Sequence, residues 1–361
     1  MAAFSGATAA GAADNAHSST PLRVWLGLTA LLVLAMIVVG GATRLTDSGL
    51  SITEWQPILG AIPPLNEAHW QDAFAKYRQI PEYHQVNKGM SLAEFKFIYW
   101  WEWSHRFLGR IIGVVFALPL LAFWLLGRVP RGLMPKLISV LALGALQGAI
   151  GWYMVKSGLV DRIDVSHYRL ALHLGTAFLI LGALVWLALE LGVRPVAIRL
   201  GTLTRGQRRT AQGLVALIFA QVLLGALVAG TKAGLTYNTW PLMDGRLVPD
   251  GLFSMSPWFV NFFENVTTIQ FDHRMVAYLI AALALWHVLS LRGVDDERVM
   301  ISASVLLLGV LAQMGLGIWT LLAAEGAIPI GLGLAHQGFA AVLLAVAVWH
   351  LHRVTRSPAR G

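Results

Sequence analysis

Apolar residues in this chain gather into long, nearly unbroken runs instead of alternating with polar ones. Each run approaches the roughly 20 residues that a helix needs to cross the hydrocarbon core of a bilayer. The runs predict spans near 23–43, 107–127, 136–156, 170–190, 211–231, 274–292, 300–322 and 331–351. In lipid every backbone polar group must be satisfied within its own segment, and runs this continuous do not suit barrel strands, so all are expected to be helices. The pattern therefore predicts an all-α membrane protein with eight transmembrane helices, its surface partner being membrane lipid.

Composition sharpens this picture. Of 361 residues, 57% are hydrophobic and only 13% charged, too little charge to cover a soluble globule of this size. The net charge of +8 does not point to a nucleic-acid partner, because the arginines sit in short loops and form no stripe or tail. Arg128, Arg131 and Lys136, then Arg194, Arg199, Arg205, Arg208 and Arg209, and finally Arg353, Arg356 and Arg360 all fall on one side of the eight-span arrangement. The positive-inside rule makes that side, with both termini, cytoplasmic. The loops near 44–104, 157–169, 232–273 and 323–330 then lie outside. Cysteine is absent, which excludes disulfides, thiolate metal sites and cysteine nucleophiles. Residues 1–22 contain Asp14 and no Lys or Arg, unlike a signal peptide or a mitochondrial presequence. They are expected to form a short disordered tail on a bacterial inner-membrane protein.

The chain also repeats itself. Gly49-Leu50 with Trp55 after the first span is echoed by Gly234-Leu235 with Trp240 after the fifth; His105-Arg106 by His273-Arg274; Gln147 with Gly151 by Gln313 with Gly317; and Leu172-His173-Leu174-Gly175 by Ala335-His336-Gln337-Gly338. Four echoes in one order predict a duplication into halves 23–195 and 196–361. An even number of spans per half makes them parallel repeats, each expected to be a four-helix bundle.

Four of the repeated residues are histidines: His105, His173, His273 and His336. All are expected near the outer ends of even-numbered spans, at one depth, two per half and on different helices. Two axial ligands of one haem require that arrangement, so the sequence points to two haem sites. A lone interfacial histidine is more often a packing residue bonded to a neighbouring helix, but four in register weigh against packing alone. Zinc fits less well, since neither half offers three or four clustered ligands. His17, His69, His84, His167, His287, His350 and His352 have no counterpart across the repeat and read as structural or solvated. Arg106, Arg274 and Arg169 are candidate contacts for haem propionates, with snorkelling at a helix end as the plainer alternative. Glu102 stands three residues before His105, whereas Gln270 stands three before His273. On one helix that spacing sets the carboxylate on the ligand's face, where it could act as acid or base; the alternative is a helix-start glutamate favoured by the dipole. Of the fourteen tryptophans, most report interfacial belts, and Gly40-Gly41 and glycines 144, 148 and 151 read as close helix packing.

Taken together, Gly40-Gly41-Ala42-Thr43-Arg44-Leu45-Thr46, Ser48-Gly49-Leu50-Ser51 leading to Trp55, Glu102-Trp103-Ser104-His105-Arg106, Tyr168-Arg169-Leu170-Ala171-Leu172-His173, Phe271-Asp272-His273-Arg274 and Leu334-Ala335-His336-Gln337-Gly338 resemble the haem A synthases. The resemblance covers nearly all of the chain after residue 22. It implies oxidation of the C8 methyl of haem O to a formyl group, through successive hydroxylation, to supply haem A to terminal oxidases. It further implies that His105 and His173 bind the substrate haem O, that His273 and His336 hold a permanent haem b, and that Glu102 is the family's essential glutamate. Some members carry cysteine pairs in outer loops, and this chain departs from them in having none. A haem O synthase in the same membrane is the expected transient partner, and the oligomeric state stays open, a homo-oligomer included. Two rival readings share the histidines: a b-type electron-transfer cytochrome, and a parallel-repeat transporter using them as a proton relay.

Overall fold

A computed structural model describes residues 6–159, 163–192 and 203–356, with side chains from residue 19 onward. Its helices are α1 (Gly6–Leu45), α2 (Glu67–Tyr77), α3 (Pro81–Gln85), α4 (Leu92–Leu125), α5 (Met134–Gly158), α6 (His167–Leu191), α7 (Arg205–Gly230), α8 (Asn261–Glu264), α9 (Val266–Ser290), α10 (Glu297–Leu322) and α11 (Ile330–Arg356). Among the described residues, eight helices are long and apolar enough to cross a membrane: α4, α5, α6, α7, α9, α10, α11 and the Ser19–Leu45 part of α1. The protein is a multi-pass helical membrane protein.

Helix ends differ from the apolar runs where polar residues cap them. The second span starts at Leu92, well before residue 107, because Ser91 and Glu94 form a capping box: the Ser91 hydroxyl accepts the Glu94 N–H while the Glu94 carboxylate accepts the Ser91 N–H. Thr204 and Gln207 do the same for α7. At the amino terminus, the tail expected to be disordered is helical from Gly6, continuous with the first span. The expected boundary between halves, 195/196, lies outside the described residues.

The segment between α1 and α4 is a folded cap. Leu50, Trp70, Phe74, Tyr77, Ile80, Phe95, Ile98 and Tyr99 form a core of their own, distinct from the main one between the spans. Phe95 stacks on Phe74 with ring centres 4.9 Å apart, and such pairs add about 0.5–1.5 kcal/mol beyond the area they bury.

Within the membrane, α1 packs on α4, α6 and α11; α6 on α5, α7 and α11; α7 on α9 and α11; and α10 on α9 and α11. The central seam is thus α1, α6, α7 and α11. Lipid is as apolar as leucine, so close packing and polar ties hold such seams. Gln337 Nε2 donates to Ile37 O at 2.6 Å, and its amide lies where a Cβ on Gly41 would be. At the carboxyl ends of α1 and α7, Arg44 donates to Ala229 O and Lys232 pairs with Asp164 at 2.9 Å, and Tyr168 of α6 donates to Glu264 at 2.5 Å.

Candidate functional site

A histidine ring wedged between close-packed helices needs a notch in the facing helix, and glycine supplies one. All four repeated histidines have such a notch. A Cβ added to Gly40 of α1 would lie 3.0 Å from His105 Nε2; one on Gly151 of α5, 3.0 Å from His173 Cε1; one on Gly225 of α7, 3.3 Å from His273 Cε1; and one on Gly317 of α10, 2.9 Å from His336 Cε1. Gly144 and Gly148, read from sequence as packing glycines, face nothing within 4 Å.

Glutamines fix the backbone behind three of these rings. Gln147 donates to His173 O at 3.0 Å, Gln313 to His336 O at 2.9 Å, and Gln221 to His273 O at 2.8 Å. Gln221 escaped the sequence reading because its first-half counterpart, four residues before the matching glycine, is Met36. The rings of His105 and His173 face one another with centres 6.5 Å apart at 66°, too far for a hydrogen bond. Nδ1 of His173, Nδ1 of His273 and Oε1 of Gln147, Gln221 and Gln313 are buried without a protein partner. Buried polar atoms are normally paired, so such orphans call for an explanation. Among the described residues no group of three or more His, Cys, Asp or Glu could hold a metal ion.

Glu102 is buried, one helical turn from His105, as its spacing predicts. Its carboxylate accepts from Ser51 Oγ at 2.8 Å, from the Ile52 N–H at 2.7 Å and from Arg106 Nη2 at 2.5 Å. It therefore anchors the chain that leaves the first span. Arg106 completes the anchor, donating to Ile52 O at 2.8 Å and Glu54 O at 3.0 Å. Arg274 repeats the clamp on the matching loop, to Tyr237 O at 2.8 Å and Thr239 O at 2.9 Å. Arg169 donates to Tyr153 O at 2.6 Å and lies 3.6 Å over the Tyr153 ring. The three arginines read as propionate contacts also hold backbone carbonyls, Arg106 and Arg274 those of the loops after α1 and α7 and Arg169 that of Tyr153 within α5.

A second histidine pair was underrated. His287 and His350, read as structural or solvated, are both buried, and their Nε2 atoms are 2.8 Å apart. They lie at the same interval beyond His273 and His336 on the same helices (273 to 287, 336 to 350), a regularity that could have revealed their pairing. The Ser302 hydroxyl donates to Val299 O and so accepts from His350 Nδ1 at 2.8 Å. His350 Nε2 is then an acceptor, and His287 donates to it. His167 too is buried, 3.5 Å from Glu264.

Residues 23–348 match the family model described as cytochrome oxidase assembly protein. The chain is 54% identical over 332 residues to the haem A synthase of Parvibaculum lavamentivorans, covering 92% of this chain and 94% of that one. It is 53% identical over 336 residues to the haem A synthase of Chelativorans sp., covering 93% and 91%. With the haem A synthase of Agrobacterium fabrum the identity is 51% over 338 residues, covering 91% and 89%. Matches of this extent, reaching across both sets of histidine notches, place the chain in the haem A synthase family of cytochrome oxidase assembly proteins.

Proposed function

We propose that this chain oxidises the C8 methyl of haem O to the formyl group of haem A, as an oxidoreductase of the bacterial inner membrane with both termini cytoplasmic and its haem sites toward the outer face. The observation that carries the reading is the His105–His173 gap. An iron bound to a ring nitrogen at about 2 Å on each side asks for ring centres roughly 6 Å apart, and these stand at 6.5 Å. The Gly40 and Gly151 notches and the orphaned Nδ1 of His173 also suit a flat, buried, iron-bearing ligand.

On this reading His105 and His173 hold substrate haem O, while His273 and His336 hold a haem b that supplies a redox centre. Glu102 marks the first half as the reacting one, because Gln270 replaces it in the second. With three donors converging on it, its carboxylate is held in place as a hydrogen-bond acceptor and can balance positive charge at the reacting group. Arg106 and Arg274 hold the outer loops over the histidine pairs, excluding water. The chain needs haem O delivered within the bilayer, which makes a haem O synthase its natural transient partner.

The test is to express the chain with and without a haem O synthase and identify the extracted haems by chromatography and mass. Haem A, or hydroxylated haem O, in the co-expressing cells alone supports the proposal. Unmodified haem b in both, with haem O supply verified, overturns it in favour of an electron-transfer cytochrome.

A further inference from the structure

The segment joining the first span to the outer cap is unusual for a loop. No residue from 55 to 65 is charged, although Glu54 and Glu67 flank it. Trp55, Ile58, Leu59, Ile62 and Leu65 all expose more than half of their surface, Ile58 as much as 83%. Five large apolar side chains pointing outward within eleven positions would form a costly patch if they faced water.

The segment is held down rather than loose. Arg110 of α4 donates from Nε to Pro57 O at 2.8 Å and from Nη2 to Gln56 O at 2.9 Å. Gly60 presses so closely on the same guanidinium that a Cβ there would lie 2.9 Å from Nη2. Trp55 also meets Trp152 of α5, ring centres 6.2 Å apart. Arg110 lies inside the apolar run 107–127 and inside a membrane-crossing helix. Backbone carbonyls bonded to it are thereby brought down to the outer margin of the hydrocarbon. Glu102 and Arg106 secure the preceding residues, Ile52 and Glu54.

We infer that residues 55–65 form a membrane-embedded flap, with Trp55, Ile58 and Leu59 sunk into the outer leaflet while Gln56, Gly60, Ile62 and Leu65 join Arg106 and Arg110 in lining a cavity of about 310 Å³. The occupant of the apolar face is lipid: the face continues from membrane-crossing helices at both anchors, carries no charge for a protein partner to read, and presents a tryptophan where aromatic residues gather at bilayer surfaces. Backbone at this depth is tolerated because the Arg110 guanidinium takes up the Gln56 and Pro57 carbonyls.

The chain has no cysteine, so single-cysteine variants report without background. Ile58→Cys and Leu59→Cys would be compared with Lys88→Cys, an exposed position of the same outer cap, in the full chain reconstituted alone in phosphatidylcholine vesicles. A membrane-impermeant maleimide is expected to label positions 58 and 59 on the order of tenfold more slowly than position 88, because a thiol in an apolar layer rarely ionises. Nitroxides at 58 and 59 should collide with oxygen more than with a water-soluble nickel chelate, and the one at 88 the reverse. If 58 and 59 behave like 88 by both measures, the flap lies in water, its apolar face awaits a protein, and the inference fails.

Discussion

Glu102 and Gln270 occupy matching positions in the two halves and hold the matching loop residue with opposite polarity. Glu102 accepts the N–H of Ile52 at 2.7 Å, whereas Gln270 donates to the carbonyl of Tyr237 at 2.9 Å. Each choice suits the backbone group it meets, so neither residue can be exchanged for the other without turning donor onto donor or acceptor onto acceptor.

Glu102→Gln should therefore lower haem O conversion and loosen the loop together. Its amide group can face only part of the Ser51, Ile52 and Arg106 donor set, and a lost hydrogen bond to a charged group costs about 1.5–3 kcal/mol. Hydrogen exchange at residues 51–54 should rise in the variant. Normal conversion with unchanged exchange would show that the anchor is dispensable.

The glycine notches make a paired prediction. Gly151→Ala and Gly317→Ala bring a methyl to 3.0 Å from His173 and 2.9 Å from His336, and each should lower the haem bound per protein at its own half. Gly144→Ala, with nothing within 4 Å, should leave haem content unchanged and add up to about 1 kcal/mol of helix stability. Equal haem loss in all three would mean that the notches are not specific seats.

Ser302→Ala should cost about 1–3 kcal/mol by leaving the His350 N–H without its acceptor. Replacing His287 and His350 together by leucine should cost less than replacing His287 alone, since the double change leaves no buried nitrogen facing an apolar neighbour. Thermal unfolding in detergent of Ser302→Ala, of each single histidine-to-leucine variant and of the double would measure the difference, and additive losses would show that the two rings act independently.

In the cap between α1 and α4, burial pushes the Glu82 carboxyl up to about 8 from its ordinary 4.5; the hydrogen bond from Tyr77 opposes this, and the charges of Glu102, Asp47 and Asp164 add to it. The folded cap thus holds a proton that the unfolded chain releases. Its contribution is full below about pH 4.5 and is lost as pH rises toward 8. Hydrogen exchange in α2 and α3, corrected for intrinsic rates, should show more opening at high pH, and Glu82→Gln should flatten that dependence. A cap that tightens as pH rises would reverse the assignment.

What the sequence made legible was set by range. The eight spans announce themselves because each is a long local run, and the four histidines because a repeat multiplies one weak signal. Helix starts were missed where polar residues extend the helix above the lipid, as Ser91 and Glu94 do for α4. The arginines at 106, 169 and 274 were placed on the correct helices, and what the sequence left unread is the backbone that they hold. Their partners are backbone carbonyls of residues 52, 54, 153, 237 and 239, and every carbonyl looks alike in a sequence. His287 and His350 were set aside because neither has a counterpart in the first half; their pairing is visible only by comparing one helix with another inside the second.

The tie from Gln337 to Ile37 has a practical meaning for anyone wishing to cut this protein in two. Gln337 follows His336 directly, and Ile37 lies one helical turn from Gly40, the notch for His105. An isolated second half would present that amide to hydrocarbon with no acceptor, and an isolated first half would keep an open slot at Gly41. Separately expressed halves should recover their histidine seats only when they meet again in one membrane.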